Sequence, residues 1–251
     1  MIFFKRRRAP KPTFSAALAP SEPFFAVGDI HGRDDLLDRL LTRMAATAPE
    51  ARQVFVGDYI DRGEQSAAVL QRLHAAERAS EGRLLCLMGN HEEMLLRFLK
   101  DPAAEGPRWM RYGGLQTLAS LSVSPPALSA SQTEWETARD RLQDALGEPL
   151  LDWVRTLPRS WQSGNVAVVH AGAAPDRAIG DQDDTTLLWG TPDFEATPRT
   201  DGIWVIHGHT IVDLPYMRRG RIGVDTGAYA TGRLTAALLR PGLPEPEFLQ
   251  A

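Results

Sequence analysis

Five short segments of the sequence place oxygen or imidazole donors next to glycine, directly after an apolar run. They are Gly-Asp-Ile-His-Gly at 28–32, Gly-Asp-Tyr-Ile-Asp-Arg-Gly at 57–63, Gly-Asn-His-Glu at 89–92, His-Ala-Gly at 170–172 and His-Gly-His-Thr at 207–210. Each apolar run predicts a buried strand, so the donors follow strand ends, where open α/β sheets bind ligands. Because carboxylate, amide and imidazole groups together bind divalent metal ions, the set predicts a metal site.

Together the five segments resemble the motifs of the calcineurin-like metallophosphoesterases, specifically the bacterial phosphoprotein phosphatases. They occur in the order of that family, and the resemblance extends from Phe24 to Arg240. A single segment is weak evidence, because an isolated Asp can cap a helix and an isolated His can be a core residue, whereas the joint match is specific. The resemblance implies a phosphomonoesterase of serine/threonine protein phosphatase type, acting on phosphorylated proteins, peptides or small phosphoesters.

The resemblance also implies a cofactor of two divalent metal ions. It assigns Asp29 and His31 to the first ion, Asn90, His170 and His209 to the second, and Asp58 to both as the bridging carboxylate. Mixed oxygen and nitrogen ligation suits manganese, iron or zinc better than calcium, and manganese is expected from the family. In that family a metal-bridging hydroxide attacks phosphorus directly, so no phosphoenzyme is expected.

Three further residues are expected to act on the substrate, again by resemblance. His91 is expected to protonate the leaving alkoxide or to stabilise charge there, and Asp61 is expected to orient its imidazole and raise its pKa. Arg62 is expected to bind phosphate oxygens through its planar guanidinium. Two neighbouring residues are not expected to act on the substrate. Glu92 is interpreted as a helix cap, with support of His91 as the alternative, and His207 is interpreted as a buried strand residue.

One phosphate-binding arginine of the family pattern is missing, because none closely follows Leu-Leu-Trp at 187–189. Either Arg199 reaches the substrate phosphate from the following loop, or Arg62 binds it alone. Two other functions stay open. A dinucleoside polyphosphate hydrolase belongs to a related class that tends to lack the acid found here at Asp61. A non-catalytic phosphate-binding scaffold is disfavoured, because every expected ligand is present.

Strands and helices must alternate to position these residues. Apolar spacing predicts strand, helix, strand, helix and strand in turn over 24–27, 34–48, 53–56, 66–79 and 83–88. That alternation predicts parallel pairing, and the run of strands from residue 165 onward, with a hairpin turn at 219–220, predicts antiparallel pairing. The fold class is therefore α/β, and the resemblance implies two mixed β-sheets packed as a sandwich between helices.

A single domain is expected over residues 24–240. It contains a helical insertion at about 102–159, whose Trp109 and Trp153 are interpreted as core or cap residues. The basic, proline-containing segment 1–23 predicts a disordered arm, and the proline-rich segment 241–251 predicts a tail that is ordered only in part.

The composition of the 251 residues excludes several protein classes. With 28 Lys and Arg against 32 Asp and Glu, the net charge is −4, which does not indicate a nucleic-acid partner. No apolar stretch approaches the length of a membrane span. The single cysteine, Cys86, excludes an intrachain disulfide and suits the reducing cytoplasm, which is the expected location.

Overall fold

Two five-stranded sheets form the centre of the computed structural model, which describes residues 13–251. The strands are β1 (Phe24–Val27), β2 (Arg52–Phe55), β3 (Leu84–Cys86), β4 (Ser160–Ser163), β5 (Val166–Val169), β6 (Trp204–His207), β7 (Tyr216–Arg218), β8 (Arg221–Gly223), β9 (Thr235–Leu239) and β10 (Glu247–Gln250). The first sheet has the order β10-β9-β1-β2-β3 and the second the order β4-β5-β6-β8-β7.

Helices cover the outer faces of both sheets. They are α1 (Asp34–Thr47), α2 (Ser66–Ala79), α3 (Asn90–Lys100), α4 (Pro102–Trp109), α5 (Leu115–Ser120), α6 (Gln132–Leu146), α7 (Glu148–Thr156), α8 (Asp184–Trp189), α9 (Pro192–Ala196) and α10 (Ala228–Thr231). A π-type turn, Met110–Gly114, joins α4 to α5, and a 3₁₀ turn, Ile179–Asp181, precedes α8. No helix within the described residues is long and apolar enough to cross a membrane.

Alternation along each strand divides the apolar side chains between two cores. In β1, Phe24 and Ala26 pack into the layer between the sheets, whereas Phe25 and Val27 pack against the helices on the other face. The same period of two places Val54 between the sheets and Phe55 under the helices. Both faces of these strands are therefore buried, which confirms the predicted α/β sandwich of two mixed sheets flanked by helices.

The predicted donors follow parallel strands of the two sheets. Strands β1, β2 and β3 run parallel in the first sheet, and β5, β6 and β8 run parallel in the second. The prediction of antiparallel pairing after residue 165 is therefore wrong for β5, β6 and β8, because the connection that contains α8 and α9 crosses over between β5 and β6. Because the carboxyl ends of parallel strands lie at one edge, the loops that follow them meet there. Packing of the two sheets brings the two edges together, so the fold itself gathers residues that are far apart in sequence.

The predicted disordered arm over 1–23 is wrong for its described part, residues 13–23, while residues 1–12 lie outside the described residues. Asn165 donates to the Ala17 carbonyl and accepts from the Ala19 amide, and the indole of Trp204 donates to the Ala16 carbonyl. Leu18 is buried between these contacts. The segment therefore packs along the second sheet.

The C-terminal segment is also more regular than predicted. Strand β10 pairs antiparallel with β9 at the edge of the first sheet, with Phe248 opposite Ala237. Its signal in the sequence is weak, because only Leu249 of its four residues is buried. Glu247–Gln250 therefore form an edge strand within the segment 241–251, which was predicted to be ordered only in part.

Candidate metal centre

Asp58 lies at the centre of the site, in the loop that follows β2. Its Oδ2 is 3.4 Å from Nε2 of His31, and its Oδ1 is 3.4 Å from Nε2 of His170. Each oxygen thus belongs to a different group of side chains that could hold a metal ion: Asp58 with His31 and His91, and Asp58 with His170 and His209. A carboxylate that presents one oxygen to each of two groups has the geometry of a bridging ligand.

Backbone carbonyls orient the two histidines that flank Asp58. Nδ1 of His31 is 2.8 Å from the Ile60 carbonyl oxygen, and Nδ1 of His170 is 3.1 Å from the Val56 carbonyl oxygen. Each carbonyl accepts the Nδ1 proton, which leaves Nε2 as a lone-pair donor aimed at Asp58. Burial lowers the pKa of His31 to about 3 and that of His170 to about 4, so both imidazoles are neutral, as metal ligation requires.

Asn90 joins the second group through its side-chain oxygen. That oxygen is 2.8 Å from Nε2 of His170 and 2.9 Å from Nδ1 of His209. Three donors from three different strand ends therefore converge beside Asp58. Asp29 belongs to neither group of three, although its carboxylate lies alongside and accepts the backbone N–H of His209 at 3.0 Å.

The electrostatics of the site favour a bound cation. Burial, followed by repulsion from Asp225 and Asp58, raises the pKa of Asp29 well above its usual range. Burial would also raise the pKa of Asp58, but the imidazoles of His170, His91 and His31 lower it below its usual range. Buried like charges of this kind are stabilised when a cation binds among them. The donor set, which mixes carboxylate, amide and neutral imidazole, fits divalent transition metals.

Backbone strain is concentrated in the same loops. Eight non-glycine residues of the described chain have positive φ, and five of them are predicted site residues: His31, Asp58, Asp61, Arg62 and His209, with φ between 46° and 70°. Such conformations cost about 1–3 kcal/mol each and persist where the surrounding structure fixes them. The strained loops direct these side chains toward one point, which is typical of a functional site.

Two glycines allow the loops to approach each other closely. A Cβ at Gly89 would overlap Oδ1 of Asp58, and a Cβ at Gly208 would overlap Oδ1 of Asp29. Neither glycine has positive φ, so glycine is required at these positions because there is no space for a Cβ, and not because of the backbone conformation. The glycines noted in the sequence motifs thus serve close packing of backbone against carboxylate.

His91 and Asp61 form a hydrogen-bonded dyad beside the metal ligands. Nδ1 of His91 is 2.6 Å from Oδ2 of Asp61, and both side chains are buried. The opposite ring nitrogen, Nε2, lies 3.8 Å from Oδ2 of Asp58 and 3.2 Å from a guanidinium nitrogen of Arg62. Burial lowers the pKa of His91, but the carboxylates of Asp58 and Asp61 outweigh it and raise that pKa above its ordinary value.

Asp61 is held by two residues of the helical insertion that the sequence did not assign to the site. The indole N–H of Trp109 donates to Oδ2 of Asp61 at 2.9 Å, and the hydroxyl of Thr117 donates to Oδ1 at 2.6 Å. Trp109 is also a core residue, as predicted, with 1% of its surface exposed. The insertion therefore does more than cover the sheet, because it fixes the orientation of the Asp61–His91 dyad.

Arg62 lines a cavity of about 460 Å³, together with Gly32, the residue that follows the predicted ligand His31. Its guanidinium carbon lies 4.9 Å from the ring centroid of Tyr229, which also lines the cavity. The Tyr229 ring meets the imidazole of His31 edge-on at 5.3 Å. The guanidinium thus lies between the imidazole of His91 and the ring of Tyr229, where it can bind an oxyanion.

Glu92 caps α3 and also supports the loop of Asp58. Its carboxylate accepts the N–H groups of Gly89 at 3.0 Å, Asp58 at 2.9 Å and Tyr59 at 2.8 Å. Burial, followed by repulsion from Asp58, raises its pKa to about 7. His207, in contrast, lies outside both groups of potential metal ligands, and its Nε2 is 2.9 Å from the hydroxyl of Tyr216.

Arg199 is not placed as the predicted second phosphate contact. Its guanidinium donates to the carboxylate of Asp201 and to the carbonyls of Ala174 and Arg177, at 2.8 Å and 2.7 Å for the carbonyls. All three guanidinium nitrogens are engaged, and the side chain is 3% exposed. Of the two alternatives, this geometry favours phosphate binding by Arg62 alone, because a nearby acid and two loop carbonyls engage Arg199. Its position indicates a structural role in fixing the loops at 174–177 and 199–201.

We expect Arg199→Ala to lower the free energy of unfolding by about 1–3 kcal/mol, because two carbonyls and Asp201 lose a charged donor. Phosphatase activity of the folded variant should match that of the wild type. Urea denaturation and the KM for p-nitrophenyl phosphate measure the two effects. Arg177→Ala is the control, since its own exposed ion pair with Asp183 contributes little. A large rise in KM at unchanged stability would contradict the structural role.

Asp225 is a third buried site residue that the sequence analysis missed, after Trp109 and Thr117. It follows β8, a parallel strand, and is 2% exposed. Its Oδ1 accepts the N–H of Gly227 at 2.8 Å, and burial raises its pKa to about 6. The signal was present, because Val224 and Asp225 repeat the pattern of an apolar strand followed by an acid. With Asp225, each of the six parallel strands ends next to the site.

Comparisons with known proteins agree with this geometry. The sequence profile of the calcineurin-like phosphoesterases matches residues 22–213. The chain is 27% identical over 248 residues to bis(5'-nucleosyl)-tetraphosphatase PrpE (asymmetrical) of Oceanobacillus iheyensis, which covers 89% of each protein. It is 30% identical over 151 residues to the symmetrical bis(5'-nucleosyl)-tetraphosphatase of Janthinobacterium sp.. That second alignment covers 60% of this chain and 44% of the relative, so the chain spans less than half of that enzyme.

The fold is also found among solved structures. A protein serine/threonine phosphatase of Saccharomyces cerevisiae superposes with a TM-score of 0.59 at 16% identity, over 92% of this chain and 80% of that one. Such low identity supports the fold alone. The profile match covers most of the chain and includes the segments that carry Asp29, Asp58, Asn90, His170 and His209. The protein therefore belongs to the calcineurin-like phosphoesterase family of metal-dependent phosphoric ester hydrolases.

Proposed function

We propose that this protein hydrolyses P–O bonds of dinucleoside polyphosphates at a centre of two divalent metal ions. The observation that carries the hydrolytic function is the arrangement of Asp58, whose two oxygens face the neutral imidazoles of His31 and His170 in two separate groups of potential metal ligands. We assign Asp29, His31 and Asp58 to one ion and Asp58, Asn90, His170 and His209 to the other. Bound divalent ions would lower the pKa of a water molecule and neutralise phosphoryl oxygens.

The remaining residues act on the substrate. Arg62 binds oxygens of the reacting phosphoryl group, since its planar guanidinium lies beside Nε2 of His91 at the mouth of the cavity. His91 holds a proton at Nε2 for the leaving oxygen when its imidazole is doubly protonated, a form that the carboxylates of Asp58 and Asp61 favour. Trp109 and Thr117 keep Asp61 in place for this task. The helical insertion thereby contributes to catalysis through positioning.

The names of the relatives support dinucleoside tetraphosphates as the substrate class. The asymmetrical tetraphosphatase of Oceanobacillus iheyensis aligns over nearly the whole length of both chains, helical insertion included. Aromatic side chains also border the site on two sides, with Tyr229 next to His31 and Trp189 next to His209. Aromatic rings of this kind are suitable stacking surfaces for nucleobases.

Phosphoserine and phosphothreonine proteins are a second candidate substrate class, which a specific observation favours. The Asp61–His91 dyad supplies a proton donor, and an alkoxide leaving group needs one far more than a nucleotide leaving group does. The initial interpretation of the sequence as a serine/threonine protein phosphatase therefore stays a proposal. We also propose manganese as the native ion, with iron and zinc as alternatives, and the cytoplasm as the location.

A parallel assay separates the two substrate classes. We expect purified protein with manganese to hydrolyse diadenosine tetraphosphate with a kcat/KM at least about tenfold above that for a phosphoserine peptide, which corresponds to 1.4 kcal/mol of transition-state binding. Chelation should abolish both activities. The reverse order of kcat/KM would favour the protein phosphatase. Full metal occupancy without activity on either substrate would support a non-catalytic scaffold.

A further inference from the structure

One cation at the edge of the metal centre has no hydrogen-bonding partner for its side chain among residues 13–251. The side chain of Arg108, near the end of α4, is half-buried and forms neither a hydrogen bond nor an ion pair with these residues. Its guanidinium carbon is 5.2 Å from the ring centroid of Trp189 and 5.9 Å from that of Tyr112. A guanidinium that rests on aromatic faces keeps its N–H donors free to bind an anion.

The two rings connect Arg108 to both halves of the metal centre. The ring centroids of Trp189 and His209 are 6.3 Å apart, and those of Tyr112 and His91 are 6.5 Å apart. The two rings of each pair meet edge to face. Arg62 contacts His91 directly, whereas one aromatic ring separates Arg108 from His91 and another separates it from His209. Arg62 therefore lies closer to the metal ligands than Arg108 does.

Trp189 is a fixed support for Arg108. Its indole N–H donates to Oε2 of Glu93 at 2.6 Å, and the other oxygen of Glu93 accepts from Arg97 at 2.8 Å. Both carboxylate oxygens of Glu93 are thus engaged by Trp189 and Arg97. The arginine keeps its charge for a ligand, on a ring whose orientation is set by a hydrogen bond.

We propose that Arg108, supported by Trp189 and Tyr112, binds the phosphates of a polyphosphate chain that lie beyond the reacting phosphoryl group. This inference rests on the proposed function, because it names how that site recognises its substrate. The reacting phosphoryl group contacts Arg62 and the metal ligands, and the chain then extends toward Arg108. A phosphate monoester has no second phosphate and gains nothing from this residue, so Arg108 is a specificity-determining residue for polyphosphates.

Inhibition constants test the proposal without relying on the identity of the substrate. Turnover of p-nitrophenyl phosphate is inhibited with inorganic tripolyphosphate and, separately, with orthophosphate, at a fixed excess of free manganese. The proteins are the wild type, Arg108→Ala, Arg108→Lys and the control Arg111→Ala, which removes an exposed arginine of the adjoining π-type turn. Chelation of manganese by tripolyphosphate affects all four proteins equally, so only differences between proteins count.

In Arg108→Ala, we expect the inhibition constant of tripolyphosphate to rise about tenfold relative to that of orthophosphate, as for loss of one charge-assisted contact. The same ratio for Arg108→Lys should lie between those of the wild type and Arg108→Ala, since a lysine keeps the charge but not the planar group that stacks on the rings. Equal changes for both inhibitors, or the same change in Arg111→Ala, would overturn the proposal. Activity of the wild type on diadenosine tetraphosphate is a separate readout, and its absence together with the tripolyphosphate effect would reject only the proposed substrate.

Discussion

Replacing Asp58 by asparagine is expected to remove both metal binding and turnover. Asparagine keeps the size of the side chain but loses the charge and one of the two oxygens that face His31 and His170. Loss of the ligand shared by both ions should lower kcat/KM for p-nitrophenyl phosphate by about a thousandfold or more, equivalent to several kcal/mol. Metal content after desalting, measured by atomic emission, should fall below the two ions per chain that we expect in the wild type.

Asp61→Asn is the matched control for this substitution. Asp61 lies three residues away in the same strained loop and is buried, but it bonds His91 and belongs to neither group of potential metal ligands. It should therefore keep two ions while losing activity. If Asp58→Asn also retains two ions, then Asp58 does not bridge them, and the assignment of the centre is wrong.

Local patterns in the sequence were sufficient to predict the core of the fold. The prediction of β1 at 24–27 and α2 at 66–79 agrees with the structure residue for residue. Both elements have a clear local signal, because β1 is a continuous apolar run that is buried on both faces and α2 buries one apolar stripe at helical spacing. Strand β4 gave no such signal, since Ser160–Ser163 is an edge strand with a single buried residue. Its position follows from pairing with β5, which is a tertiary contact.

The same distinction between local patterns and tertiary contacts separates the site residues that could be predicted from those that could not. Donors that follow strands, such as Asp58 and His170, could be predicted because the fold always brings such positions to one edge. The hydrogen bonds of Trp109 and Thr117 to Asp61 could not, because they join positions 48 and 56 residues apart without any local pattern. Arg199 was misassigned for a related reason, since only the structure reveals that Asp201 and loop carbonyls engage it.

His91→Asn is expected to have the second largest effect, and its size should depend on the leaving group. A proton donor matters most when the departing oxygen is strongly basic, so phenyl phosphate should lose about 10²–10³-fold in kcat. The loss for p-nitrophenyl phosphate should be much smaller, because p-nitrophenolate departs without a proton. The two esters have nearly the same shape, so the comparison isolates the leaving group. Equal losses on both esters would show that His91 acts on binding and not on proton transfer.

Asp61→Asn tests the same dyad through its pH dependence. The carboxylates of Asp58 and Asp61 hold the pKa of His91 above its ordinary value, and the acid must be protonated to act. Activity on phenyl phosphate therefore falls as the pH rises through that pKa. Removing the Asp61 charge lowers the pKa, so the alkaline limb of the kcat profile should move to lower pH while metal content stays unchanged. A limb that stays in place would mean that another group supplies the proton, and Asp61 would then serve only to hold the loop of Arg62.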